Sequence, residues 1–347
     1  MGNTGRSRSR SLLSTTVLLL LVAGCSTSAA SGTGGTATVR LGYFANVTHA
    51  PAIVGDAAGL FAAELGDVPL RTTTFNAGTE AIEALFSDAV DMSFMGPNPA
   101  INGFVQSDGA AVRIVSGTTS GGAALVVAPA IRSPADLAGA RIATPSLGNT
   151  QDVALRAWLA GQGYETTLEG GGDVSVVPQP NAQTLETFRS GDIQGAWVPE
   201  PWATRLVLEG GGHVLVDERD LWPDGAFVTT HLVVSTRFLD EHPDLVEAVV
   251  RGLIAALDLM AADPAAAQAV VNARIEEITG RPLPAEVITA AWQNLTFTLD
   301  PIASSLRKSA ADAVGVGLLG APDLDGIYDL QILNTLLRAR GVAEVGS

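Results

Sequence analysis

Between residues 38 and 116 the chain alternates short apolar runs with segments whose apolar residues recur at helical spacing, and this alternation constrains the fold more than any other feature. Thr38–Phe44, Leu70–Phe75, Val90–Met95 and Val112–Ser116 read as strands. Pro51–Leu65, Thr79–Ser87 and Pro99–Ser107 read as the helices between them; Ile82, Leu85 and Phe86 share one helical face. Such a β-α-β-α-β-α-β order predicts an α/β protein with a mostly parallel sheet flanked by helices.

The pattern then repeats. Ala123–Ala128 is a further strand, and Ser133-Pro134-Ala135-Asp136 has the cap, proline and early acid of a helix start. Strands at Arg141–Thr144, Asp173–Pro178, Gly195–Val198 and His213–Asp217 alternate with helices at Thr150–Gln162, Ala182–Ser190 and Pro201–Glu209. Thr229–Ser235 is an apolar strand suited to rejoin the first set, and helices dominate from Pro243 onward. The expected division is two lobes, one of residues 38–128 with 229–347 and one of residues 129–228. Two crossings imply a hinge and a cleft between lobes, a common place for a small ligand.

Residues 1–24 look like an export signal. Arg6, Arg8 and Arg10 form a basic head, and Leu12–Ala23 is an apolar run too short to span a bilayer as a stable helix. Val22-Ala23-Gly24-Cys25 resembles a bacterial lipobox. The resemblance implies cleavage before Cys25, lipidation of its thiol and a polar linker over residues 25–37. The mature chain would then sit outside the cytoplasm, anchored by acyl chains to the plasma membrane. Loss of the three arginines lowers the formal net charge from −16 to −19.

Composition excludes several classes of function. Only Lys308 is a lysine, and no arginine cluster follows Arg10, so a phosphate-binding face for nucleic acid is not expected. One cysteine rules out an internal disulfide and a multi-cysteine metal or iron–sulfur site. His49, His213, His231 and His242 are too scattered for a local metal site, and no cofactor motif occurs. There is no nucleophile elbow and no G-x-x-x-x-G-K-[ST] phosphate loop, so the chain reads as a binder, not an enzyme.

The informative loops follow strands, at the carboxyl ends where open α/β sheets take ligands. They are Asn46-Val47-Thr48-His49-Ala50-Pro51, Asn76-Ala77-Gly78-Thr79-Glu80, Gly96-Pro97-Asn98-Pro99-Ala100 and Pro145-Ser146-Leu147-Gly148-Asn149-Thr150-Gln151. A fifth is Trp197-Val198-Pro199-Glu200-Pro201-Trp202. Each opens a helix, whose first-turn N–H groups and dipole suit an anion without formal positive charge. Thr48, Thr79, Asn98, Asn149, Thr150 and Gln151 add neutral hydrogen bonds; Gly78 and Gly148 allow close approach. Thr79 and Thr150 also suit plain helix caps. Trp197 or Trp202 could wall an organic substituent, or both could pack in cores. His49 could donate to an oxyanion or cap its turn, and Glu200 could meet a ligand or hold its own loop.

At these loops the chain resembles the solute-binding lipoproteins of ABC importers in the sulfonate/nitrate/taurine branch. The stretches that carry the resemblance are Thr48-His49-Ala50-Pro51-Ala52, Asn76-Ala77-Gly78-Thr79-Glu80-Ala81, Gly96-Pro97-Asn98-Pro99-Ala100, Gly148-Asn149-Thr150-Gln151-Asp152 and Glu200-Pro201-Trp202. It runs from about Val39 to about Leu259. It implies a periplasmic-binding-protein type II fold, a monomer that closes on a small anion, such as an aliphatic sulfonate, and delivers it to a permease and its ATPase. It further implies head-group contacts from Thr48, His49, Gly78, Thr79, Pro97, Asn98, Asn149, Thr150 and Gln151, with Glu200 and Trp202 bordering the ligand's tail. Pyrimidine-precursor binders and synthases share the fold. The synthases carry a cysteine-rich iron motif absent from this chain. A ligand-sensing lipoprotein is the remaining alternative.

Overall fold

A computed structural model describes residues 38–347; the signal-like segment 1–24, Cys25 and the linker 25–37 lie outside the described residues. Two sheets organise them. The first has six strands, β1 (Val39–Phe44), β2 (Leu70–Phe75), β3 (Met92–Met95), β4 (Val112–Gly121), β10 (Val228–Ser235) and β11 (Leu295–Phe297), in the order β11-β4-β10-β3-β1-β2. The second has five, β5 (Ala123–Val127), β6 (Arg141–Thr144), β7 (Ser175–Pro178), β8 (Gly195–Pro199) and β9 (His213–Asp217), in the order β7-β6-β8-β5-β9.

Both sheets are mixed, where the alternation alone suggested mostly parallel. In the first, β1 runs parallel to β2 and β3, but β10 is antiparallel to β3 and β4, and β11 to β4. In the second, β6 is parallel to β7 and β8, whereas β5 is antiparallel to β8 and β9. The antiparallel pairings of β5 and β10 arise where the chain crosses between sheets and enters from the opposite end; β11 is an edge strand added between α11 and α12.

The first crossing falls at Gly121-Gly122, earlier than the expected boundary at residue 128. Both glycines have left-handed φ, 79° and 72°, and a side chain on Gly122 would run into Leu295. That reversal sends β5 into the second sheet. The return comes over residues 217–228, through short 3-10 turns at Glu218–Leu221 and Pro223–Gly225.

Helices cover both faces of each sheet. α1 (Ala50–Ala57), α2 (Leu60–Leu65), α3 (Gly78–Phe86) and α4 (Pro97–Gln106) belong to the first half of the chain. Gly59, with φ 69°, breaks the single helix expected over 51–65 into α1 and α2. α5 (Thr150–Gly161), α6 (Asn181–Ser190) and α7 (Trp202–Leu208) flank the second sheet. The remainder is α8 (Thr236–Glu241), α9 (Pro243–Ala262), α10 (Pro264–Thr279), α11 (Ala285–Gln293), α12 (Ala303–Gly315) and α13 (Gln331–Ala339).

The cores follow the two-residue period of the strands. Val39, Leu41 and Tyr43 of β1 face Phe61, Val249 and Leu253 in the core beneath α2 and α9. Phe44 turns to the other face, with Ile82, Leu85, Ile101 and Leu306. In β5, Leu125 and Val127 pack with Leu155 and Leu159 of α5, while Ala124 and Val126 pack with Leu185, Phe188 and Leu206. Strand ends and helix starts from both sheets are thereby fixed around one crevice.

Candidate functional site

Five elements of the first lobe, with the start of α5 and the end of β8, build the crevice. Phe44, Asn46, Thr48 and His49 come from the end of β1 and the 3-10 turn Val47–His49; Gly78 opens α3; Gly96 and Pro99 open α4; Thr229 is the second residue of β10. Asn149, Thr150, Gln151 and Pro199 come from the second lobe. The central free volume is about 30 Å³, and no lining residue is acidic, Lys or Arg.

His49 is buried and stacks on Phe44, with ring centroids 4.2 Å apart. Its Nδ1 accepts the Phe44 backbone N–H at 3.3 Å, so the ring proton resides on Nε2. Burial pulls its pKa down to about 3, leaving a neutral donor at ordinary pH.

The backbone donors are unevenly available. Thr48 N–H is directed to Glu200 O at 3.4 Å and His49 N–H to Asn46 O at 2.9 Å. Pro97 and Pro99 have no N–H, so the start of α4 offers little. In contrast, the first-turn amides of Gly78 and Thr79 in α3, and of Thr150 and Gln151 in α5, have no acceptor among the described residues. These are the orphan groups that make a helix start attractive to an anion. A side chain on Gly78 would collide with the Pro99 ring, and one on Gly96 with the Thr150 hydroxyl, so both glycines permit close packing.

The α5 loop is held from behind. Asp152 accepts the Gly148 N–H at 3.0 Å, the Thr144 hydroxyl at 2.8 Å and Arg156 Nε at 3.0 Å. Its own N–H goes to Asn149 Oδ1 at 2.9 Å, and Asn149 Nδ2 donates to Gln151 Oε1 at 3.1 Å. Asn149 is therefore a helix cap as well as a crevice residue.

Of the expected positions, Thr48, His49, Gly78, Asn149, Thr150 and Gln151 meet in this crevice. Several others do not bring their side chains to it. Asn98 is engaged with Ser309 of α12, accepting its hydroxyl proton at 2.7 Å. Pro97 is buried at the first position of α4, and the half-buried Thr79 side chain is not among the lining groups. Trp197 is a core residue of the second sheet, its indole N–H donating to Glu218 at 2.7 Å. The tryptophan pair therefore does not form one wall.

Glu200 is also structural. Its carboxylate accepts the Thr204 N–H at 3.1 Å, the Thr204 hydroxyl at 2.9 Å and Asn294 Nδ2 at 2.7 Å. Burial pushes its pKa up, and the Asn294 and Thr204 donors oppose that shift. It ties α7 to the link after α11. Trp202 does face the cleft, donating from Nε1 to Asn46 Oδ1 at 2.9 Å and lying under the Arg205 guanidinium.

Sequence reading missed Phe44, Asn46, Gly96, Pro99, Pro199 and Thr229. Asn46, Gly96, Pro99 and Pro199 lay in quoted loops, so the same loop logic reaches them; Thr229 carried no local signal. Among the described residues there is no group of three or more His, Cys, Asp or Glu able to hold a metal.

Two α/β lobes meet at a charge-free crevice lined with donors, the architecture of the periplasmic-binding-protein fold. The chain belongs to the NMT1-like family, whose model matches residues 32–275. It is 31% identical over 215 residues to the taurine-binding periplasmic protein of Escherichia coli. That match covers 62% of this chain and 64% of the relative, a little under two thirds of its length. In fold it is similar to the alkanesulfonate-binding protein SsuA of Xanthomonas axonopodis pv. citri bound to MOPS, with a TM-score of 0.67 at 21% identity, over 82% of this chain and 95% of that one. The periplasmic nitrate-binding protein NrtA of Synechocystis superposes with a TM-score of 0.73 at 17% identity, over 88% and 89%.

Proposed function

We propose that the chain is the extracytoplasmic solute-binding component of an ABC importer and that it captures a small oxyanion, foremost an aliphatic sulfonate. The observation that carries this reading is the convergence of unclaimed amides from α3 and α5 on one crevice, joined by the neutral Nε2–H of His49. Three N–H groups, of Gly78, Thr150 and Gln151, and a ring donor can surround the oxygens of an anion that never needs protonation. No bond is made or broken; ligand shifts an open–closed equilibrium by its preference for the closed form. The lobes would hinge at Gly121-Gly122 and over residues 217–228. The names of the taurine- and sulfonate-binding relatives support the anion class.

Delivery to a permease and its ATPase, and anchoring through a lipidated Cys25, belong to the same proposal. Calorimetric titration with methanesulfonate, taurine, nitrate and neutral amides tests the ligand class. Saturable binding of a sulfonate, weakened by Thr150→Ala with His49→Ala, is expected; binding of neutral compounds alone would overturn the reading. Cys25→Ser should leave that affinity intact and release the protein from the membrane fraction; retention in membranes would remove the anchor from the proposal.

A further inference from the structure

Behind the crevice, the end of β4 and the start of β10 hold a cluster of hydroxyls. Thr118, Thr119, Ser120, Thr229 and Thr230 are each no more than 6% exposed. These neighbouring strands carry the chain out of and back into the first lobe: β4 leads to the Gly121-Gly122 reversal, and β10 receives the return. β10 has one residue too many for a regular ladder. Val228 pairs with Ser120 and Thr230 with Thr119, which leaves Thr229 as a bulge. A bulge re-aims side chains, and buried hydroxyls are kept where they have partners.

Those partners converge on the head-group turn. Thr119 and Thr230 stand opposite each other, one on each crossing strand, and both hydroxyls donate to the Thr48 carbonyl, at 2.8 and 3.1 Å. A carbonyl oxygen has two lone pairs, so both are filled. The Thr48 N–H turns the other way, to Glu200 O of the second lobe at 3.4 Å. The Thr229 hydroxyl donates to Gly121 O, and the Gly121 N–H donates to Phe227 O at 3.1 Å, so the two crossings are also pinned to each other. Local support for the turn is slight: neither Val47–His49 nor α1 after it has a side-chain cap. The turn that carries Thr48 and His49 into the crevice is therefore held by hydroxyls 71 and 182 positions away in the chain.

Resting on the oxyanion reading, we propose that Thr119 and Thr230 are positioning residues for the solute. Neither lines the crevice. Through Thr48 O they set the turn that presents His49 to the head group, and they tie that turn to both crossing strands. Gly121 and Val228, where the chain leaves and re-enters these strands, each lie two residues from the pair. Lobe rotation at the crossings thus reaches the turn through these two bonds. Head-group geometry and lobe angle become one variable, and the crevice is complete only where both hydroxyls reach the same carbonyl.

The test is calorimetric titration with methanesulfonate, with urea unfolding run on the same proteins. Thr119→Val and Thr230→Val keep the side-chain shape and remove one donor each. Each should weaken binding about two- to fivefold, since the other hydroxyl still holds Thr48 O. The double variant should weaken it at least about fiftyfold, more than the product of the singles, because the carbonyl is left with no donor. Thr119→Ser and Thr230→Ser keep the hydroxyl and should bind within about twofold of the wild type. Ser235→Ala is the comparison on β10 itself: it removes a buried hydroxyl that accepts the Phe238 N–H at 3.2 Å and caps α8. It should lower stability and leave affinity unchanged, which a positioning role predicts and a general loosening of the strand does not. Wild-type affinity in the double valine variant, or a comparable loss of affinity in Ser235→Ala, would overturn the positioning role and leave the oxyanion reading standing. Should the double variant not fold, the single valine variants decide, and wild-type affinity in both would overturn the proposal. Failure of the wild-type protein to bind methanesulfonate, taurine or nitrate would overturn the oxyanion reading and this inference with it.

Discussion

Trp202 and Asn46 join the two lobes directly: the indole N–H of the first residue of α7 donates to the side-chain oxygen at the end of β1, at 2.9 Å. Asn46 itself lines the crevice. Removing that donor should therefore weaken closure without removing the aromatic surface. Trp202→Phe is expected to lower solute affinity about three- to tenfold, the usual net worth of one hydrogen bond. Calorimetry with the same solute on both proteins checks it; equal affinities would mean that the bond does not contribute to closure.

The titration behaviour of His49 gives a second prediction. Burial holds its pKa at about 3, and a sulfonate is ionised throughout the accessible range. Affinity should be flat from pH 5 to pH 8. A steep rise on acidification would mean that His49 becomes cationic on binding.

Stability should behave differently from affinity. The folded pKa values of His49 and His231, about 3 and about 4, lie below the ordinary histidine value of 6.5, so the unfolded chain takes up protons first as pH falls. Each costs about 1.4 kcal/mol per pH unit below 6.5, down to its folded pKa. Burial raises Glu218 to about 7, partly opposed by the Trp197 donor, which has the opposite sign: that group favours the fold at low pH and the benefit is lost as pH rises from 4.5 through 7. Glu200, also raised by burial, acts in the same sense as Glu218. Urea unfolding at several pH values measures the net slope, and His231→Gln should make stability fall less, or rise more, on acidification from pH 6.5 to 4.5 than it does in the wild type.

Gly78 is a fourth point of test. A Cβ there would meet the Pro99 ring, so Gly78→Ala must displace the start of α3 or α4. The amides of Gly78 and Thr79 would move with it. Affinity should fall at least about tenfold with the far-ultraviolet circular dichroism unchanged. Retained affinity would exclude α3 from the head-group site.

These residues also show where sequence reading succeeds. α9 and α10 begin and end where their sequences indicate: each has proline in its first turn, and Asp263 caps the second by accepting the Ala266 N–H. β4 was expected to stop at Ser116 but continues to Gly121. Its last residues are polar and yet buried, with Thr118 and Thr119 hydroxyls donating to the backbone oxygens of Thr230 and Thr48, so the apolar pattern ends before the strand does. β11 has only three residues and no periodicity to detect. In the site, glycines and cap residues mark the loops locally. The directions of Asn98, Trp197 and Glu200 depend on partners 211, 21 and 94 positions away in the chain, and no local spacing encodes those.

Asp152 links the stability of the second lobe to the shape of its binding loop. It forms a buried ion pair with Arg156, whose side chain is 1% exposed, and holds the Gly148 amide that sets the turn into α5. Arg156 makes one further bond, to Thr167 O at 2.8 Å, while its Nη2 is buried without a partner. Neutralising Asp152 would leave that guanidinium without a counter-charge. Asp152→Asn should destabilise the protein by about 3–5 kcal/mol, the range for removing one partner of a buried pair. Pairing it with Arg156→Met should recover part of that loss, because the stranded charge goes with its partner. The double variant should nonetheless bind solute poorly, since the carboxylate that holds the Gly148 amide and the Thr144 hydroxyl is still absent. Denaturant unfolding of the two variants and calorimetry on the double variant separate the effects; wild-type affinity in the double variant would show that the loop keeps its shape without Asp152.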